Sequence, residues 1–130
     1  MTDHSQDSSI NDNPRNQHHS LLLKGLQEFN SREFYEAHET LEDYWRMLKD
    51  DEKELVQSII QAAVAYYHFG RGNRVGARKL LVRAVARAES VARDTLGIKT
   101  EPYLETIKKS LQTVESDSNE AMEMPTISFI

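Results

Sequence analysis

The stretch "ELVQSIIQAAVAYYHF", residues 54–69, is apolar almost all the way round when wound at 100° per residue. A helix without a polar side cannot lie on a surface. It belongs at the centre of a bundle, flanked on several sides, where each polar group it carries must find a partner or cost stability. This segment therefore fixes the fold class expected of the chain: an all-α, single-domain bundle of about five helices with a central, largely buried third helix.

The neighbouring segments supply the flanks. "SLLLKGLQEFN" reads as a short amphipathic first helix from Ser20. Asn30 and Glu33 have the spacing of a capping box, with Phe29 and Phe34 at the positions of a hydrophobic staple, which predicts that a second helix begins near Ser31. Its inward side is expected to carry Phe34, Ala37, His38, Leu41, Trp45 and Leu48. Glu36, Glu39, Thr40, Asp43 and Arg46 fall opposite, and Glu42 falls on the border. Asp51 and Glu54 form a second capping-box pattern at the start of helix three, which ends at "GRGN".

Asn73 is the expected N-cap of a fourth helix that runs to Gly97, with Ala77, Leu80, Leu81, Ala84, Ala88, Val91 and Ala92 inward. Pro102 fits the first turn of a fifth helix whose stripe is Tyr103, Ile107, Leu111 and Val114. Residues 1–18 are polar and read as a disordered N-terminal tail. Residues 19–114 form the helical domain, and 115–130 a polar linker and a tail, "PTISFI", for which two readings stay open, an extended strap folded back over a groove or a frayed end.

A formal charge of −5 argues against general binding to nucleic acid phosphates. The seven basic residues between 71 and 93 are expected to face a solvated surface or the acidic residues of helix two, Glu36, Glu39, Glu42 and Asp43. Cysteine is absent, so His, Asp and Glu are the strong metal ligands the chain offers. That absence fits a reducing compartment. The uncharged run from Val56 to Gly70 falls short of the ~20 residues that span a bilayer, and the N-terminus lacks the basic and apolar segments of a secretory signal. A cytoplasmic protein without membrane contact is expected, and assembly into homo-oligomers is left open.

"EAHETLEDYW" places His38 among apolar neighbours and Glu42 one turn later, close enough to share a hydrogen bond or a metal ion. On helix three, Gln57, Gln61, Val64 and His68 fall within about 60° of one another, a polar seam on an apolar cylinder. Two such seams on consecutive helices predict a pocket between helices two and three. In it His38 and Glu42 bind a divalent ion or act as a base and acid pair, while Trp45, Gln61 and His68 contact and orient what is bound. The competing reading is a structural or protein-interaction module in which the cluster only fixes helix packing.

The segments "FNSREFYEAHETLEDYW" and "IIQAAVAYYHFGRGNRVGARKLLVRA" resemble those of a family of small all-helical bacterial and archaeal proteins, the domain of unknown function 309 family. The resemblance covers roughly residues 20–114 and includes a His-x-x-x-Glu-x-x-Trp pattern. It implies a metal-related role for His38 and Glu42, with Trp45 walling the site because indole is no metal ligand. It implies no particular activity.

Overall fold

In a computed structural model, which describes residues 14–116 and 119–130, the helix predicted to be central is central. The helices are α1 Pro14–Asn30, α2 Phe34–Trp45, α3 Asp50–Gly70, α4 Arg74–Ser90 and α5 Thr100–Glu115, with a 3-10 turn at Thr95–Gly97 before α5. Each packs on its neighbour in sequence, as short connections require. On α3, Leu55, Val56, Ser58 to Ala63, Ala65 and Tyr66 are all buried. Ala62, Ala63 and Ala65 of α3 and Ala77, Ala84 and Ala88 of α4 are all buried, and small buried residues on both of these packed helices allow close approach. Among the described residues no helix is long and apolar enough to cross a membrane.

Two hydroxyl bridges tie α3 to α5. Ser58 Oγ donates to Ala84 O at 2.7 Å, which uses its single proton, so the contact at 2.9 Å to Tyr103 OH has the tyrosine donating. Likewise Ser110 Oγ gives its proton to the carbonyls of Glu123 and Thr106, so Tyr66 OH donates to Ser110 Oγ at 2.8 Å. Both phenols are almost fully buried, and that burial pushes their pKa values well above the ordinary tyrosine range.

Both capping-box expectations are corrected. The N-cap of α2 is Glu33 and that of α3 is Lys49, neither with a side-chain cap. Asn30 instead holds the C-terminal segment. Asp51 Oδ2 accepts from Ala92 N at 2.9 Å, and Arg87 Nη1 donates to both carboxylate oxygens of Glu54 at 2.8 and 2.9 Å. The side chains that look like local caps are spent on distant partners. The staple contact does form, with the Phe29 and Phe34 rings edge-on at 5.2 Å.

At the start of α4 the expectation holds: Asn73 Oδ1 accepts from Gly76 N at 2.9 Å. Asn73→Ala is expected to lower stability by about 1 kcal/mol in urea unfolding without changing the slope of the transition. Its end differs from the expected Gly97, because Val91 is extended and Asp94 and Leu96 take left-handed backbone, φ 62° and 61°. Val91 and Ala92 thus leave the helical stripe. At the other extreme α1 begins at Pro14, before the expected Ser20, with proline at its first position, where its missing N–H costs nothing. Residues 1–13 lie outside the described residues.

Among the described residues the ion pairs of α4 run to α3 and α5. Arg87 pairs with Glu54 of α3, Arg78 with Glu115 of α5 at 3.4 Å, and Glu89 with Lys108 of α5 at 3.1 Å, while Arg93 meets Glu101. All are partly exposed, so each contributes at most about 1 kcal/mol.

The tail docks as an extended strap. Pro125 and Ile127 are buried, Thr126 and Ser128 exposed, the alternation of a strand with one face inward. Asn30 grips Ile127 from both sides, its Nδ2 donating to Ile127 O at 2.9 Å and its Oδ1 accepting from Ile127 N at 2.8 Å. Arg32 donates to Pro125 O at 2.6 Å and Met124 O at 3.3 Å. Lys99 N donates to Ser128 O and Ile130 N to Gly97 O, both at 2.9 Å, giving an isolated antiparallel bridge between Ile98 and Phe129.

Candidate functional site

The site is built where the first turn of α2 meets the last turns of α3. Phe34, Tyr35 and His38 from α2, with Val64, Tyr67 and His68 from α3, line a cleft of about 170 Å³. The i,i+3 and i,i+4 spacings within each set bring these side chains to one face of their helix, and the antiparallel packing of α2 on α3 opposes the two sets. A shallower depression of about 400 Å³ adjoins it, sharing Phe34, Tyr35 and Tyr67 and adding Arg32, Glu33 and Glu36.

His38 is half-buried and its Nδ1 lies 2.6 Å from Tyr35 O. A carbonyl oxygen only accepts, so Nδ1 carries the proton, and the neutral ring keeps its lone pair on Nε2. Tyr35 stands edge-on to the His38 ring at 5.0 Å and against Tyr67 at 5.5 Å. Tyr67 is 6.2 Å from His68 and has the Arg71 guanidinium over its face at 5.5 Å. Behind them Phe34 packs on Tyr66 at 5.3 Å, a rigid apolar wall continuous with the core.

The expected constellation is divided along the helix axes. His38 and His68 line one cleft. Glu42 is half-buried, does not line it, and makes no hydrogen bond to His38 among the described residues. Trp45 lies farther along α2, with the Lys53 ammonium 4.2 Å from its ring centroid and its Nε1 buried without a partner among the described residues. Gln61 is buried, its Oε1 also without a partner among the described residues, away from the cleft lining. Thr40 and Tyr44, not His38 and Trp45, complete the buried face of α2, because α1 covers that side so closely that Leu41 sits where a side chain on Gly25 would be. Burial and the nearby Glu52 charge raise the Tyr44 pKa.

A catalytic zinc site takes three protein donors. The cleft offers two imidazoles, and among the described residues no group of three or more His, Cys, Asp or Glu side chains is placed to hold a metal ion. The His38 and Glu42 pair is therefore unsupported as a metal centre, and no chemistry is routed through one. Tyr35 and Tyr67 went unrecognised in the sequence. Their signal was the spacing of Tyr35 from His38 and the adjacency of Tyr67 to His68.

The model of the family described as "Domain of unknown function (DUF309)" matches residues 22–80. Those residues belong to the DUF309 family. The matched segment contains all six residues of the cleft, together with Asn30 and Arg32, and ends within α4. The uncharacterized protein YpuF of Bacillus subtilis (strain 168) is 34% identical over 99 residues, which cover 72% of this chain and 56% of that protein. An uncharacterized protein of Aquifex aeolicus (strain VF5) is 39% identical over 54 residues, covering 41% of this chain and 16% of that protein. The chain thus spans about half the length of the Bacillus relative and a smaller share of the Aquifex one.

Proposed function

We propose that the cleft between α2 and α3 binds a small ligand through one flat ring that carries a hydrogen-bond donor. The observation that supports this reading is the convergence of two imidazoles, His38 and His68, on a cleft walled by Phe34, Val64 and two tyrosines. Its volume, about 170 Å³, is close to the ~150 Å³ of an apolar cavity that takes a benzene ring. The ring lies against Phe34 and Tyr67, and its donor gives a hydrogen bond to the His38 Nε2 lone pair. With Nδ1 held by a backbone carbonyl, the same nitrogen serves as a general base toward an acidic ligand proton. Glu42, Trp45 and Gln61 act at a distance on this reading, through the packing of the two helices.

Phenol is a minimal probe, one ring with one donor. Titrated into the protein and followed by NMR shifts of the His38 and His68 ring protons, it is expected to bind saturably. His38→Ala is expected to weaken binding about tenfold, the worth of a hydrogen bond to a half-buried group, while the half-exposed position leaves the fold intact. Shifts spread over the surface without saturation would abandon the ligand reading for the structural one. Metal content of untagged protein is the companion measurement: a stoichiometric ion lost in both His38→Ala and His68→Ala would redirect the proposal to a metal centre completed by non-protein ligands.

A further inference from the structure

The strap ties down the corner of the fold that carries one wall of the cleft. The chain passes from α1 to α2 through Ser31, Arg32 and Glu33, and the strap holds this short connection at two points. Asn30 bonds both main-chain groups of Ile127, and the Arg32 guanidinium donates to the carbonyls of Pro125 and Met124. Arg32 has left-handed backbone, φ 66°, a conformation that is unfavourable for a residue with a Cβ and persists where its surroundings impose it. The bonds to the strap are what holds the Arg32 side chain in that state.

The residues just beyond the connection are those of the site. Phe34 and Tyr35 line both the cleft and the depression beside it, and Arg32 lines the depression. A second route runs through the core. Phe34 packs on Tyr66 at 5.3 Å, Tyr66 OH donates to Ser110 Oγ, and Ser110 Oγ donates to Glu123 O immediately before the strap. The strap thus reaches the α2 wall of the cleft from its rim and from behind, although no strap residue lines the cleft itself. The opposite wall, Val64, Tyr67 and His68, belongs to the central helix α3.

We propose that docking of residues 124–130 is coupled to ligand binding in the cleft, an inference that rests on the ring-binding function proposed above. With the strap down, Arg32 and Phe34 are held where the two walls fit a flat ring. With the strap lifted, Arg32 leaves its left-handed state, the first turn of α2 shifts on α3, and the ligand is held less tightly. The strap is the two-state element that such coupling needs. Because both events belong to one free-energy cycle, a bound ligand holds the strap down by the same factor that the strap adds to affinity.

The chain has no cysteine, so a single introduced thiol reports on its own exposure. In Ile127→Cys the thiol lies on the buried side of the strap and reacts with a disulfide reagent only when the strap lifts; in Ala63→Cys, buried in α3, it reacts only on wider unfolding. The thiol at position 127 is expected to react much the faster of the two, and saturating phenol to slow it about fivefold. Ile127→Asp, which keeps the strap off by placing a carboxylate where an apolar side chain is buried, is expected to weaken phenol binding by that same factor with helical circular dichroism unchanged. Phenol that binds the wild type but leaves either the thiol rate or the affinity of Ile127→Asp unchanged overturns the coupling while the ring-binding function stands. Absence of saturable phenol binding to the wild type overturns both. Equal rates at the two thiols, the sign of a strap that does not lift by itself, also overturn the coupling. If Ile127→Asp loses its helices, the thiol rates decide alone.

Discussion

Raising the pH above 10 is expected to unfold the domain over a narrow range, with Tyr66 and Tyr103 ionising only as the helices melt. Both phenols are almost fully buried, and both have pKa values raised by that burial, more than their hydrogen bonds to Ser110 and Ser58 lower them. In the unfolded chain a tyrosine loses its proton near pH 10. Between that pH and the raised folded value, the unfolded state alone gives up the proton. The stability these groups contribute is thus complete below pH 10 and falls above it by about 1.4 kcal/mol per pH unit for each phenol. By pH 12 the two together cost roughly 5 kcal/mol, comparable to the net stability of many domains of this size. Absorbance at 295 nm and far-ultraviolet circular dichroism, recorded on the same samples, are expected to show the late-titrating tyrosines and the loss of helix moving together. Tyr103→Phe, which leaves Ser58 still donating to Ala84, is expected to cost about 1 kcal/mol at neutral pH and to move alkaline unfolding upward. Ionisation of these phenols in a protein still fully helical would contradict the account.

Gly25→Ala is expected to destabilise the fold by about 1 to 2 kcal/mol, although alanine is the better helix former by about 1 kcal/mol. Gly25 lies inside α1, and a Cβ there would overlap Leu41 Cδ2 and lie 2.6 Å from Leu41 Cγ. Leu41 is wholly buried, so its side chain has no open space into which to turn, and overpacking outweighs propensity. The glycine sets the distance between α1 and α2. Leu41→Ala alone is expected to cost 2 to 5 kcal/mol and, combined with Gly25→Ala, less than the sum of the two, because the added methyl fills part of the cavity. Thermal denaturation of the four proteins of this cycle checks the sign, and a stabilised Gly25→Ala would show that the helices separate at little cost.

The parts of the fold legible in the sequence were those where pattern and position coincide. Residues 55–66 left one place for their helix, and Asn73 had the free amide N–H of Gly76 within reach three residues on. Local signatures failed where a distant partner was available. Asn30, Asp51 and Glu54 carry groups that can cap a helix, but the same groups bind Ile127, Ala92 and Arg87, and sequence spacing holds no information on contacts so far apart in the chain.

The candidate site divides in the same way. A helical wheel gives the angle of a residue and not its height, so it placed His38 and His68 on facing seams and they do line one cleft, whereas Glu42, Trp45 and Gln61 share those seams at other levels along the axes. Tyr35 was missed because half of its surface is exposed, which its amphipathic ring tolerates.

The latch between Asn30 and Ile127 has a kinetic consequence. The most extensive helix pairings in the bundle join sequence neighbours, contacts that a chain makes quickly, but this latch joins residues 97 positions apart. Ring closure of that length comes late in folding and opens early in unfolding. A protease added under native conditions is therefore expected to nick the carboxyl end before it reaches any helix, and amide protons of residues 124–130 to exchange well ahead of those in the α3 core.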